Sequence, residues 1–474
     1  MVSTWTGDFR WWSALGVMIA LLATAAYIIS EFQPTTGLII GLIGLIILTA
    51  MTNVEVALYI LIFSMLLGPQ VVASAATGTR LAGRGLTLRL DDLLLVIIGL
   101  LWLARIAIHS DLGVFTKTPL NRQIAWYTFA CVLSTGVGMV LGRVEVLAGS
   151  LFTLKYIEYF LIYFMAANNL KSRSQVRNYT IALLLVCLIV SVIGIASISE
   201  EGRASAPFEG SSEGIRAGNT EPNSFGGYLS LMLALSLGVL VTQESRAVKL
   251  ALSFLAVIIL FTIGLTLSRA SYLALIPLYF SLLFFSKRRV GLMIGALLFA
   301  AALVIISPKA VLERIESTYS SPEREVIGGG FRPDASTSAR IYSWNVALTE
   351  GWPQHPILGW GVTGFRFMDA QYPRSLVETG TFGFATFLWL VISLFRFAKD
   401  HYQRAKDPLL KGVSLGFLVG HIAILAHAIG ANSFIIVRIM GPYWFLAAIV
   451  MMVPQIERAQ AAAEAPLTHA GIRQ

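Results

Sequence analysis

Two carboxylates and a set of arginines are the residues of this chain whose types and spacing suit chemistry. Asp369 and Glu378 stand nine positions apart in "MDAQYPRSLVETGTFGF", residues 368–384. A carboxylate at a water-accessible edge can take the proton of an attacking hydroxyl. With an ordinary pKa of about 3.9 an Asp is a weak base. Burial raises that value, and a neighbouring cation such as Arg340 or Arg366 lowers it. Arginine presents a planar fork that binds phosphate and carboxylate in two-pronged fashion. Together such groups can align a hydroxyl with an activated carbon and stabilise a departing diphosphate. Glu378 is the second candidate acid–base residue, with helix capping as its alternative role.

The elements that must position these groups lie in a membrane. Of 474 residues, 56% are hydrophobic and 13% charged, against about 25% charged in soluble domains. Continuous apolar runs separated by short polar stretches indicate an all-α polytopic membrane protein, since a spanning helix needs about 20 apolar residues and a barrel would show alternation. Candidate spans fall near 12–30, 35–52, 54–68, 91–108, 123–141, 151–168, 179–198, 223–243, 247–267, 270–286, 290–307, 376–396, 409–428 and 434–453. Short breaks between some of them leave the number at 12–14. The first run is too long for a signal-peptide core and reads as a retained helix. The net charge of +9 reflects basic loops that orient the chain in the bilayer, so no nucleic-acid partner is implied. Cys131 and Cys187 both lie in apolar runs, which argues against a disulfide framework.

Lysine and arginine in 171–177, 244–249, 286–290 and 396–411 place those loops in the cytoplasm. Both termini are then cytoplasmic, and the longest polar stretch, 308–375, is external. Four regions follow: N-terminal helices (1–307), the large loop (308–375) between the fourth- and third-last helices, C-terminal helices (376–453), and a disordered tail (454–474). Within the loop, "TSARIYSWNVALTEGWP" predicts a helix capped by Ser338 and ended by Gly351 and Pro353.

Lysine is concentrated inside, yet the outer face is rich in arginine, Arg374 among them. Three arginines stand out. Arg269 interrupts the apolar "LTLSRASYLAL", where a charge needs a partner or a function. Arg216 precedes a helix entry in "IRAGNTEPNSFGGYL". Arg340 lies four residues before Trp344, on the same helical face. Lys155 and Glu158 are spaced to pair inside a span, and His355, His421 and His427 suit packing or hydrogen bonding. No P-loop, HExxH, CxxC or GxSxG motif stands in a usable context, which disfavours an ATP-driven pump or a metalloprotease.

In their order along the chain, "RLDDLLLVIIG" (89–99), "RAGNTEPNSFGGYL" (216–229), "LSRASYLAL" (267–275), "SARIYSWNVALTEGWPQHPILGWGVTGF" (338–365) and "DAQYPRSLVETGTFGF" (369–384) resemble the O-antigen ligase and O-antigen polymerase superfamily of bacterial envelope glycosyltransferases. The resemblance implies a glycosyltransferase-C-like fold in the inner membrane. It implies a metal-independent enzyme with no cofactor, acting externally on undecaprenyl-diphosphate-linked glycan as donor and on a glycan acceptor. A flippase and a chain-length regulator of the same pathway are the implied partners. By motif, Arg216, Arg269 and Arg340 match the family's diphosphate-binding arginines, with Arg366 beside them. Ligases of the family carry His then Asn nine residues before the Glu of the closing motif; here Asp369 and Ala370 occupy those places. That departure favours a polymerase of exopolysaccharide, capsule or O-antigen, with Asp369, Glu378 and Arg340 catalytic. A ligase acting on lipid A core is the alternative. A transporter or flippase of an anionic lipid or solute would show related halves and broken mid-membrane helices, and no repeated halves are visible.

Overall fold

The computed structural model describes residues 53–68, 117–196, 222–286 and 335–464, with short pieces at 44, 70–71, 88–89, 92, 94–100, 102, 198, 202–207, 288–289 and 291–293. The expected span at 12–30, most of those at 35–52 and 290–307, the loop residues 308–334, and Arg216 lie outside them.

The chain is an all-α polytopic membrane protein. Its helices are α1 (Val54–Leu67), α2 (Asn121–Val140), α3 (Val146–Asn169), α4 (Arg173–Ala196), α5 (Pro222–Thr242), α6 (Arg246–Thr266), α7 (Arg269–Phe285), α8 (Ala335–Val346), α9 (Gln371–Arg404), α10 (Pro408–Gly430) and α11 (Val437–Glu464). A two-residue antiparallel ladder joins β1 (Gln70–Val71) to β2 (Leu88–Arg89). Eight of the described helices are long and apolar enough to cross a membrane, with α1 and α7 shorter but apolar.

Local chemistry sets several helix starts. Ser268 caps α7 by accepting from the Ser271 N–H at 3.3 Å. Asp407 caps α10 by accepting from Leu409 and Leu410 at 2.8 and 3.0 Å, ahead of Pro408. Such side chains satisfy amides that lack an intrahelical partner.

Helices α5, α10 and α11 are the most enclosed. Gly412, Gly416 and Gly420, spaced four apart, line the face of α10 that meets α5. A Cβ on Gly416 would sit 2.7 Å from the Leu235 Cα. Small residues at this spacing let two membrane helices approach closely, where dispersion replaces the missing hydrophobic drive. This tight pair is the wall against which the first turn of α7 and the end of α10 are set.

Three expectations are corrected. The loop helix begins at Ala335, so Ser338 lies inside it rather than capping it. It also passes Gly351: a π-helical turn, Ala347–Gly351, leads into Trp352–Gln354, where Pro353 has no N–H to lose. The last helix runs to Glu464, so residues 454–464 are not a disordered tail. Glu457 accepts from the backbone N–H groups of Lys406 and Asp407 at 2.7 and 3.0 Å, which ties that extension to the α9–α10 turn. Finally, Lys155, expected to pair with Glu158, donates to Asp92 at 3.2 Å.

Candidate active site

The last described loop segment before α9 and the turn after α10 build the site between them. Helix α8 lies across both with one face inward. Arg340, Ser343, Trp344 and Ala347 share that face, as the spacing requires, and each meets a different element. Arg340 reaches the end of α10. The Ser343 hydroxyl accepts from the Asp369 N–H at 3.3 Å. The Trp344 ring lies 6.5 Å from that of Tyr372. Ala347 packs with Val346, Met368 and Val377 in a small cluster bordered by Trp360 and Phe365.

At Gly430, the last residue of α10, a Cβ would lie 3.4 Å from the Ala270 Cβ and 3.5 Å from Arg340 Nε. The first turn of α7, which carries Arg269, and the Arg340 guanidinium therefore meet at one glycine. Both arginines are half-buried. His427, one turn earlier and buried, hydrogen-bonds Ser433 Oγ through Nδ1 at 2.7 Å. Ser268 at the start of α7 donates to Asn223 at the start of α5, 2.8 Å away. Four chain segments thus converge around the end of α10.

Asp369 is half-buried beside this point. The Met368 carbonyl, in the same peptide unit as the Asp369 nitrogen, accepts from Asn432 Nδ2 at 2.9 Å. Gln371 Oε1 accepts from the Phe434 N–H at 3.0 Å. The short turn 430–434 therefore touches Arg340, His427 and both flanks of Asp369.

Glu378 is placed differently. Its carboxylate is buried and engaged on both oxygens. Oε1 accepts from Arg374 Nε at 3.1 Å and from the Thr363 N–H at 3.3 Å; Oε2 accepts from the Tyr156 hydroxyl at 2.8 Å. It lies inside α9, two residues before a break, with its carboxylate held by Arg374, Thr363 and Tyr156 rather than capping a helix start. At Gly380 the backbone leaves the helix, with φ 63° and ψ −172°. The segment 356–361 docks into that gap. Trp360 and Gly361 N–H groups bond the carbonyls of Val377 and Glu378 at 3.0 and 2.9 Å. The N–H groups of Thr381 and Phe382 bond the carbonyls of Pro356 and Ile357 at 2.8 and 3.1 Å. These four backbone groups at the break thus each find a partner. Thr363, a β-branched residue at φ 69°, is held in this left-handed conformation beside Glu378.

Residues 254–388 match the family model described as O-antigen ligase, which takes in α7, α8 and the first half of α9. The match supports the O-antigen ligase/polymerase superfamily for this stretch. The comparison with curated proteins returned no match. Within the O-antigen ligase region stand Arg269, Arg340, Arg366, Asp369 and Glu378; Asn432, outside it, faces the same peptide as Asp369.

Of the residues singled out from sequence, Arg340 reaches Gly430, Arg269 adjoins the Ala270 that meets the same glycine, and Asp369 follows the Met368 carbonyl that Asn432 holds. Arg366 is exposed, pairs with Glu350, bonds the Tyr342 hydroxyl at 2.9 Å and stacks on Phe365. Arg374, Tyr156, Ser343 and Asn432 were not singled out. Arg374 stands four residues before Glu378, a readable pairing distance on a helix, hidden because the span was expected to begin at 376. His355 sits edge-on to Trp360, 4.4 Å between ring centres. Its pKa is lowered, first by burial and then by nearby Arg143.

Proposed function

We propose that this protein is a polymerase that joins undecaprenyl-diphosphate-linked oligosaccharide repeat units on the outer face of the inner membrane. The observation that carries the reading is the meeting of Arg340 with the first turn of α7 at Gly430, two residues from the Asn432 that grips the peptide of Asp369. Two arginines and one carboxylate on segments that meet at this turn would supply the parts a glycosyl diphosphate transfer needs.

In this mechanism Arg340 and Arg269 hold the donor's diphosphate, with Arg216 the third arginine by motif. The acceptor hydroxyl oxygen forms a bond to the anomeric carbon. The bond from that carbon to the diphosphate oxygen breaks, and undecaprenyl diphosphate departs with the electron pair. Asp369 orients the hydroxyl and takes its proton late in the reaction. Glu378 is better suited to positioning: its two oxygens already serve Arg374, Thr363 and Tyr156, and through them it fixes the segment leading to Asp369. Arg366, paired outward with Glu350, is assigned to the rim of the donor site.

Asp369 and Ala370 in place of the ligases' His and Asn favour the polymerase. The matched description, O-antigen ligase, supports the second reading, transfer of a finished glycan to lipid A core. Deletion of the gene followed by glycan analysis separates the two. Single repeat units accumulating on lipid support the polymerase; long chains left on undecaprenyl diphosphate support the ligase; unchanged glycans overturn both. The external placement of 308–375 is tested by a reporter active only outside the cytoplasm, fused near Gly329 and expected to be active, with a fusion near Lys406 silent.

A further inference from the structure

The turn 430–434 carries one polar group that the mechanism leaves unused. Asn432 is 8% exposed. Its amide nitrogen donates to the Met368 carbonyl at 2.9 Å. A carbonyl can only accept, so the amide's orientation is settled: nitrogen toward Met368, oxygen turned away. That oxygen, Oδ1, is buried and accepts no hydrogen bond among the described residues. Buried acceptors are almost always paired. The nearest neighbours along the turn are spoken for: Ser433 by His427, and the Phe434 N–H by Gln371.

We infer that Asn432 is a glycan-binding residue, its Oδ1 accepting a hydroxyl of the acceptor sugar adjacent to the one that attacks. The inference rests on the glycosyl-transfer reading above and extends it to the second substrate. The chemistry of this acceptor oxygen selects the ligand. A diphosphate offers only acceptor oxygens, which an amide oxygen repels. A sugar hydroxyl is a donor, and Oδ1 suits it. The same peptide unit ties Asn432 to Asp369: its carbonyl is held by Asn432 and its N–H by the Ser343 hydroxyl, 3.3 Å away. Asp369 and Asn432 are therefore two acceptor-bearing residues anchored to one peptide unit. Such a pair reads two neighbouring hydroxyls on one ring, the first giving up its proton to Asp369 and the second resting on Asn432. Which ring hydroxyl can attack then follows from which has a correctly placed neighbour.

The test uses the full-length protein in nanodiscs. The donor is lipid-linked repeat unit extracted from a strain lacking the gene. The acceptor is the oligosaccharide released from that lipid by mild acid, which cannot itself donate. Undecaprenyl diphosphate alone probes the donor site. Asn432→Leu is expected to raise the KM for free oligosaccharide about tenfold, while the KM for lipid-linked donor and the Kd for undecaprenyl diphosphate stay within about twofold. Asn432→Asp keeps the acceptor oxygen and loses the donation to Met368. It is expected to keep the oligosaccharide KM within about threefold of wild type, and it decides the matter alone if the leucine variant does not fold. An unchanged oligosaccharide KM in Asn432→Leu overturns the inference. So does an Asp variant with KM raised as far as the Leu variant, since the Met368 bond would then be what matters, and so does loss of undecaprenyl diphosphate binding in either. Wild-type protein that neither binds undecaprenyl diphosphate nor extends the oligosaccharide overturns the parent reading and this inference with it.

Discussion

Gly359 and Gly380 stand back to back, both at positive φ, 74° and 63°. A Cβ on Gly380 would fall 2.5 Å from the Gly359 nitrogen, and one on Gly359 the same distance from the Gly380 nitrogen. Alanine at either position meets two costs, about 1–2 kcal/mol for the left-handed conformation and a clash with backbone that cannot swing aside. Gly359→Ala and Gly380→Ala should each lower the unfolding temperature in detergent and reduce activity, whereas Gly142→Ala, at φ 69° in open space, should show only the conformational cost.

The arginine fork is the basis of a second prediction. Arg340→Lys and Arg269→Lys keep the charge and lose two-pronged binding. Each should lower kcat/KM by about tenfold or more, equivalent to about 1.4 kcal/mol. Arg404→Lys, exposed and paired with Asp400 at the far end of α9, should change activity little. Binding of undecaprenyl diphosphate measured in nanodiscs checks the ranking.

Asp369→Asn is nearly isosteric and removes the proton acceptor. Turnover of lipid-linked repeat units should fall by about 10²–10⁴, the usual scale for a general base, with undecaprenyl diphosphate binding retained. Turnover near wild type would exclude the base role; lost binding would assign Asp369 to ordering the loop.

For the buried pair, loss of one partner strands the other. Glu378→Gln or Arg374→Met should destabilise by about 3–5 kcal/mol, and the double variant by less than the sum, because neither charge is then left alone. Denaturation in detergent reads the coupling, and strict additivity would deny the pair.

His355 supplies a pH dependence. Its lowered pKa means the docked loop prefers neutral imidazole. That contribution is complete above the ordinary value of about 6.5 and declines as pH falls from there through the folded pKa. Intrinsic fluorescence of Trp360, its ring neighbour, should report loosening on acidification, and His355→Gln should remove the dependence.

Hydropathy made the spans legible. Helices α2 to α7 begin and end close to the expected positions because each is a long apolar run between polar breaks, and Arg269, Arg340 and Asp369 were visible as charges out of place. The break in α9 was not legible. "ETGTFGF" has the local character of a helix start, and the interruption exists only because residues 356–361, far back in the chain, supply the missing backbone partners. Asn432 was hidden for a like reason: a single polar residue at a membrane turn has no pattern, and its meaning comes from the Met368 carbonyl it meets. Lys155 illustrates the limit of spacing arguments. Glu158 was near in sequence, but Asp92 was placed by packing.

The plugged break in α9 also decides what can move. Lifting segment 356–361 would break its bonds to the carbonyls of Val377 and Glu378 and from the N–H groups of Thr381 and Phe382 all at once. Four bonds that must be lost together make the segment a splint rather than a door. Helix α8 is fastened by side chains: the Ser343 hydroxyl, the Trp344 ring against Tyr372, the Arg340 side chain and a small apolar cluster, and among the described residues no backbone ladder ties it to the membrane helices. Of the two, α8 is the part that can shift while segment 356–361 stays in place, one stiff post beside a lighter neighbour.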